Sequence, residues 1–384
     1  MKINKAMKKT IFTKLLVVLL CFSCQEKEVS KTPLQDALTS QNHNIKRVMD
    51  NLEAHEVQII FSQINRKDDG IVFTDHEFQL DESDYFYPAS TVKFPTAVLA
   101  LEELNKVDSL TMDTRFYVEG DSVETTFRKA ISEIFAVSDN QANNRLVEFL
   151  GQDAINARLK SKGIENFRLA HRLGYHTEDM ATKPLIVYLN DSTTSTYATT
   201  INTFPEPLLL DGIKKGIGFY SDGELIDEPF DFALKNYYPI SSQHEVLKRI
   251  IFPENYKKGE QFNLSGDQSA HLLKSMHTVP KEVGYDPNEY YDGYCKFFMF
   301  GDTREDIPEN IKIYNKVGFA YGTLTDCAYI VDTKNNVEFM LTATILVNKD
   351  GVFNDDNYEY DDVGIPFLAE LGRLLYAHEL KRNN

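Results

Sequence analysis

The order of the periodic segments constrains this chain most. An N-terminal helical pattern from Pro33 to Glu53 and two strand-like runs, Val57–Phe61 and Ile71–Phe73, open its body. Three strand-like runs, Ile311–Phe319, Thr325–Asp332 and Val337–Val347, and an amphipathic helix over about Ile365–Leu380 close it. The Thr333-Lys334-Asn335-Asn336 turn makes the last two strands a hairpin. Residues 107–190 read mainly as helix. The stretch 195–312 reads as an extended insertion in which Glu245–Ile251 and Ser265–His277 are helical and Gly212–Glu228 is turn-like. Strands at both ends of a chain need a common partner. The economical solution is an α+β fold, an α/β sandwich. One antiparallel sheet is built from both chain ends and flanked by helices, with a helical lobe inserted over about 107–190. Active sites commonly form in the cleft between two such lobes.

The net charge of −17 over 384 residues, with no basic stripe, excludes nucleic acid as a partner. Lys2, Lys5, Lys8 and Lys9 precede an apolar run, Ile11–Ser23, that is too short for a dependable membrane span. Residues 1–23 therefore read as an export signal. A small residue before a cysteine, followed by a charged tail, resembles the lipobox of bacterial lipoproteins at Phe22-Ser23-Cys24-Gln25-Glu26. That resemblance implies lipidation at Cys24 and a tether over 24–32. The body of the chain, one domain over 33–384, would then be held by a membrane anchor in the bacterial cell envelope, in the periplasm or at the cell surface. Ordinary secretion with cleavage nearby is the alternative. Cys295 and Cys327 are the cysteines of the body, and an oxidising compartment permits their pairing. Cys327, in an apolar run, reads rather as a small buried hydrophobe. No residue spacing suggests a metal, no cofactor is expected, and no protein partner is evident.

Ser90 and Lys93 stand three apart at the start of a helical pattern carried by Phe94, Val98, Leu101 and Leu104 and running to about Lys106. On one helix face a hydroxyl and an amine can meet. A lysine whose pKa is lowered by burial can then activate the serine. Two further triplets matter. Ser138-Asp139-Asn140 separates the helical patterns Phe127–Ala136 and Gln141–Leu150, with Gly151 as the closing cap, and Lys316-Val317-Gly318 lies on a strand. Taken singly, Asp139 and Asn140 read as helix caps and Lys316 as a solvated edge lysine.

In this order, the three triplets resemble the Ser-x-x-Lys, Ser-Asp-Asn and Lys-Thr-Gly motifs of class A β-lactamases and penicillin-binding proteins. The flanks Gln141-Ala142-Asn143-Asn144-Arg145-Leu146 and Phe319-Ala320-Tyr321-Gly322-Thr323-Leu324-Thr325-Asp326-Cys327-Ala328 extend the likeness. The resemblance implies an exported serine hydrolase acting on a small β-lactam or a cell-wall peptide. Ser90 would attack the amide carbonyl and Lys93 would serve as base or relay. Ser138 would pass a proton to the leaving nitrogen. Asn140 would hold Lys93 and the substrate's amide side chain. Lys316, with Val317 and Gly318, would bind the substrate carboxylate, and the backbone N–H groups of Ser90 and Phe319 would form the oxyanion hole. Asn144 would brace the neighbouring loop.

Two departures narrow the expectation. Val317 stands where the family has threonine, and a missing hydroxyl bond weakens binding by about 1 kcal/mol. The family's deacylating glutamate falls near Leu173 or Gly174, neither of which is a base. Glu178, Asp179, His171 and His176 are the nearby candidates. Without such a base the acyl-enzyme persists, as in a penicillin-binding DD-peptidase. An esterase-like acyl-enzyme former and a non-turnover binding protein on the same fold are further alternatives. The aromatics of the insertion, Phe230, Phe232, Tyr237 and Tyr290 among them, form either a satellite core or a lid over the substrate.

Overall fold

Side chains on both faces of the closing strands are buried, so the sheet they form is covered on both sides. Its strands are β1 (Gln58–Lys67), β2 (Gly70–Phe78), β3 (Ile311–Ala320), β4 (Thr323–Asp332) and β5 (Val337–Leu346). They lie in the order β3-β4-β5-β1-β2, every neighbouring pair antiparallel. Pairing of Gln58 with Thr344 and of Gln63 with Phe339 joins the two chain ends, so the fold is the expected α+β arrangement. The computed structural model describes residues 31–68, 70–174 and 179–382. The segment expected to direct export, Cys24, His176 and Glu178 lie outside the described residues.

Helices cover the sheet. In chain order they are two short ones, Pro33–Leu38 and His43–Met49, then α1 (Lys93–Leu104), α2 (Phe127–Ala136), α3 (Asn140–Leu150), α4 (Ile240–Ile251), α5 (Gly266–His277) and α6 (Ile365–Arg382). On β5, Phe339, Leu341 and Ile345 face the terminal helices, in one core with Ile45, Leu371 and Leu375. Met340, one residue out of phase, faces the opposite layer with Cys327 and Tyr329 of β4 and the apolar stripes of α1, α2 and α3. Each fully buried large side chain contributes about 1.5–3 kcal/mol. Cys295 and Cys327 are both buried free thiols, so the permitted disulfide is not formed.

Several expectations are corrected. The helix expected over Pro33–Glu53 is three pieces, the last being Leu52–His55, because polar side chains interrupt it. Thr39 caps the first piece, and the Asn42 side chain accepts the Asn44 N–H at 2.8 Å to start the second. The Ser90 segment begins as a 3-10 turn, Ala89–Val92, before α1 proper. Residues 107–190 are not mainly helical. Besides α2, α3 and a helix at Gln152–Ser161, they share a second antiparallel sheet ordered Thr125–Thr126, Arg115–Val118, Leu185–Asn190, Thr193–Tyr197. Its alternation spans too few residues per strand to stand out in sequence. The turn-like Gly212–Glu228 contains the hairpin Gly218–Ser221/Glu224–Ile226, whose first strand pairs in parallel with Val352–Phe353.

The insertion's aromatics resolve as a satellite core at Phe230, Phe232 and Tyr237, which pack with Tyr85, Tyr87 and Phe353 around the loop leading to Ser90. The Phe232 ring is the hub, with centroids 4.7 Å from Phe230, 5.4 Å from Tyr321, 5.5 Å from Tyr85 and Phe353, and 6.0 Å from Tyr87. Phe232→Ala should therefore cost about 3–5 kcal/mol, read as a lowered urea midpoint. A midpoint equal to wild type would show that this cluster bears no packing load.

Candidate active site

Ser90 sits on a strained turn. Ala89 before it has a φ of 46°, a left-handed conformation that costs a residue with a Cβ about 1–2 kcal/mol. The turn is closed by the Thr91 N–H and hydroxyl, both donating to the Pro88 carbonyl at 3.1 and 2.7 Å. Lys93 then opens α1 with its side chain fully buried.

The Lys93 amine does not take the expected route to Ser90. Among the described residues, its hydrogen bonds go to Ser138: one to the carbonyl oxygen and one, 3.2 Å, to the hydroxyl. Ser138 makes this possible because its φ of 58° turns its carbonyl inward between α2 and α3. Asp139 is the N-cap of α3, accepting the Ala142 N–H at 2.7 Å. Asn140 follows with an exposed side chain, and among the described residues no hydrogen bond joins it to Lys93.

Lys316 reaches the same hydroxyl from β3. It is 2% exposed, and its Nζ donates to Ser138 Oγ at 2.8 Å and to the Val317 carbonyl at 2.7 Å. The three sequence motifs therefore meet at one atom. Burial pushes the Lys93 amine well below its ordinary pKa, and the neighbouring Lys316 charge adds to the effect; Cys295 and Asp139 oppose it. Burial also lowers Lys316, to about 8, with Cys295 and Asp326 opposing. The pair thus supplies two different reagents: an amine that can accept a proton, and a lysine still largely cationic at neutral pH.

Strand alternation separates the third motif. Lys316 and Gly318 face the Ser90 turn. A Cβ built at Gly318 would lie 2.7 Å from the Pro88 carbonyl and 2.9 Å from the Ser90 nitrogen, so only glycine allows β3 this close. Val317 faces the other way. It is 1% exposed in the terminal-helix core with Ile313 and Ala328, which corrects its expected role as a substrate-binding side chain. A β-branched apolar residue there fills the core. Phe319 is 46% exposed, its ring packed against Tyr360 and Phe297 at the end of the cleft wall.

The loop at the expected glutamate position is held firmly. Asn144 braces it in both directions, donating to the Leu173 carbonyl at 2.8 Å and accepting the Leu173 N–H at 3.0 Å. Arg172 makes a buried bidentate pair with Glu148, at 2.6 and 2.8 Å, and also donates to the carbonyls of Asp179 and Ala181. Leu173 itself is buried in the helical-lobe core. Of the alternative bases, the buried His171 ring stacks on Tyr87 and its Nδ1 lies 2.5 Å from the Arg172 carbonyl. The Asp179 carboxylate accepts the Ala181 N–H in a local turn.

A second serine–histidine–carboxylate group is structural. Ser62 Oγ lies 2.5 Å from Asp75 Oδ1 and 2.7 Å from His244 Nε2, but Ser62 on β1 and His244 on α4 are both buried where the helix packs on the sheet. The lone hydroxyl proton goes to Asp75, so His244 must donate to Ser62 and cannot be its base. Sequence reasoning also passed over Lys296, Asn315 and Asp326, which cluster beside β3. The signal for Lys296 was present: one charge inside the apolar run Cys295–Phe300.

Residues 42–203 match the model of the beta-lactamase enzyme family. No curated protein matches the chain. Among solved structures, the chain is similar to L2 complexed with relebactam, at 15% identity and a TM-score of 0.51, covering 91% of this chain and 99% of that one. It is also similar to a beta-lactamase from Sphaerobacter thermophilus (14% identity, TM-score 0.48, covering 89% and 94%) and to one from Burkholderia ambifaria (14%, 0.49, covering 85% and 95%). At such identities the likeness to L2 speaks to fold alone. In fold the chain is β-lactamase-like, and residues 42–203, less than half of it, match the model of that enzyme family.

Proposed function

We propose that the protein is an exported serine hydrolase that opens a β-lactam or a related amide through an acyl-enzyme at Ser90. The observation that carries this reading is the convergence of Lys93 and Lys316 on the Ser138 hydroxyl, at 3.2 and 2.8 Å. In the proposed sequence, the discharged Lys93 amine takes the Ser90 proton and Ser90 Oγ attacks the carbonyl carbon. The N–H groups of Ser90 and Phe319 stabilise the developing oxyanion. The amide C–N bond then breaks as the Ser138 hydroxyl delivers its proton to the leaving nitrogen and is reprotonated from the lysines. Lys316 draws in the substrate carboxylate, and exposed Asn140 meets the substrate's amide side chain. Cys24 would anchor the exported domain to the cell-envelope membrane.

One observation favours a second reading for the fate of the acyl-enzyme. The family's water-activating glutamate is expected near Leu173 or Gly174, neither of them a base, and the braced, apolar Leu173 supports slow release of the kind that makes β-lactams inhibitors of DD-peptidases.

With a chromogenic cephalosporin, wild type is expected to give a burst of colour and a mass increase of one acyl group. Slow steady release thereafter supports the inhibitor-like reading, and sustained turnover the β-lactamase one. Ser90→Ala should show neither burst nor mass increase. A folded wild type that gains no mass from this reagent or from a broad serine-reactive probe would contradict the Ser90 assignment.

Gly318→Ala tests the close approach of β3 separately. The added Cβ must push the strand or the Ser90 turn by several tenths of an ångström, so acylation should slow by about 10–100-fold. An unchanged acylation rate would mean that the turn and strand need not touch for chemistry.

A further inference from the structure

Beside β3, a lysine is buried where the acylation chemistry has no use for it. Lys296 is 1% exposed. Its Nζ donates to the Met276 carbonyl in the last turn of α5 and to Asn315 Oδ1, both at 2.7 Å. The unpaired carbonyls and negative dipole end of α5 favour a cation there. Asn315 passes the contact on: its Nδ2 donates to the Cys295 carbonyl at 2.9 Å and to Asp326 Oδ1 at 2.8 Å. The other oxygen of Asp326 accepts the N–H groups of Phe297 at 3.1 Å and Phe298 at 3.4 Å. A buried cation and a buried carboxylate are thus joined through one amide whose oxygen and nitrogen are both engaged.

Its place in the sheet gives this unit a consequence for the active site. Asn315 is the residue before Lys316, and Asp326 pairs across the ladder with Val317. The network therefore clamps β3 on either side of Lys316. Burial raises the Asp326 carboxyl to about 6, with the Asn315 bond and the Lys296 charge opposing, so it remains an anion at neutral pH.

We propose that Lys296, Asn315 and Asp326 form a positioning unit for Lys316. They hold the strand that carries it, and the Asp326 charge, partly offset by Lys296, keeps Lys316 cationic at neutral pH. Only the use made of that charge, to bind a carboxylate and support Ser138, rests on the Ser90 reading above. The charged and titratable groups that bear on Lys316 are Lys93 from α1, Cys295 and Lys296 from the segment before α5's partner strand β3, and Asp326 from β4. Glu282 bears on Lys296, and Asp139 on Lys93.

The two charges pull Lys316 in opposite directions. Without the Asp326 charge, Lys316 faces the Lys296 charge uncompensated and loses its proton at lower pH. Without the Lys296 charge, Asp326 acts on Lys316 unopposed, and the proton is held to higher pH. A merely structural role has no reason to produce opposite signs.

The test is an NMR titration of full-chain protein carrying 13Cε-labelled lysine, with the Lys316 signal identified by its loss in Lys316→Arg. Asp326→Asn should lower the Lys316 midpoint by about half a pH unit or more, Lys296→Met should raise it by a similar amount, and Lys296→Arg should restore it. If one charge variant fails to fold by circular dichroism, the sign of the other decides. An unchanged midpoint, or shifts of the same sign, would overturn the proposal. In parallel, the alkaline limb of the acylation rate should follow each midpoint. Because the NMR midpoint needs no acyl transfer, a wild type that is never acylated counts against the Ser90 reading alone, whereas unmoved midpoints in an acylated protein count against the positioning unit alone.

Discussion

Two buried lysines share one serine hydroxyl, and the electrostatics of that arrangement governs the site around it. Two ammonium groups so near each other in a poorly solvated cleft cannot both keep their protons cheaply, so the environment must distinguish them. It does so by position. Lys93, on α1 between the lobes, has Lys316 as a like-charged neighbour and lies deepest. Lys316, on the sheet edge, has the Asp326 carboxylate behind its strand. Burial and the Lys316 charge push the Lys93 amine well below its ordinary pKa, while Asp326 opposes the same effect at Lys316. The Ser138 hydroxyl lies between the two lysines, 3.2 Å from Lys93 Nζ and 2.8 Å from Lys316 Nζ.

Holding these groups together requires backbone conformations that most sequences avoid. Ala89 and Ser138, at φ values of 46° and 58°, both carry a Cβ in the left-handed region. The rest of the fold overdetermines them. The Ser90 turn is backed by the aromatic cluster of Tyr85, Tyr87 and Phe232 and faced by Gly318, while Ser138 is pinned between the capped start of α3 and the end of α2. The sheet built from both chain ends supplies the rigid wall, and the inserted lobe supplies the opposing one. Neither half holds a complete site.

Much of this was legible in the sequence, for physical reasons that also mark where legibility stopped. The three motifs lie on short segments whose local periodicity is strong, so Ser90 and Lys93 at the start of a helix, Ser138 between helices and Lys316 on a strand could be placed. The pairing of chain ends followed from the order of strands. The Lys93 hydrogen bond was misjudged, because helical spacing favours Ser90 while the inward Ser138 carbonyl, a tertiary feature, takes the amine instead. Val317 was misread because comparison with the family's threonine supplied a role, whereas strand alternation beside a buried core decides where the side chain goes. Lys296, Asn315 and Asp326 were invisible as a group, since 19 residues separate the bonded Lys296 and Asn315. The small second sheet was missed because its strands are too short to announce a period.

The account stands on acylation at Ser90 within this cleft, and a structure of the protein after reaction with a β-lactam tests that most directly. The predicted result is an ester at Ser90 Oγ. Its carbonyl oxygen should lie about 2.7–3.1 Å from the N–H groups of Ser90 and Phe319, with the ligand carboxylate beside Lys316. An adduct on any other residue, or an ester at Ser90 whose carbonyl oxygen points away from both N–H groups, would contradict it.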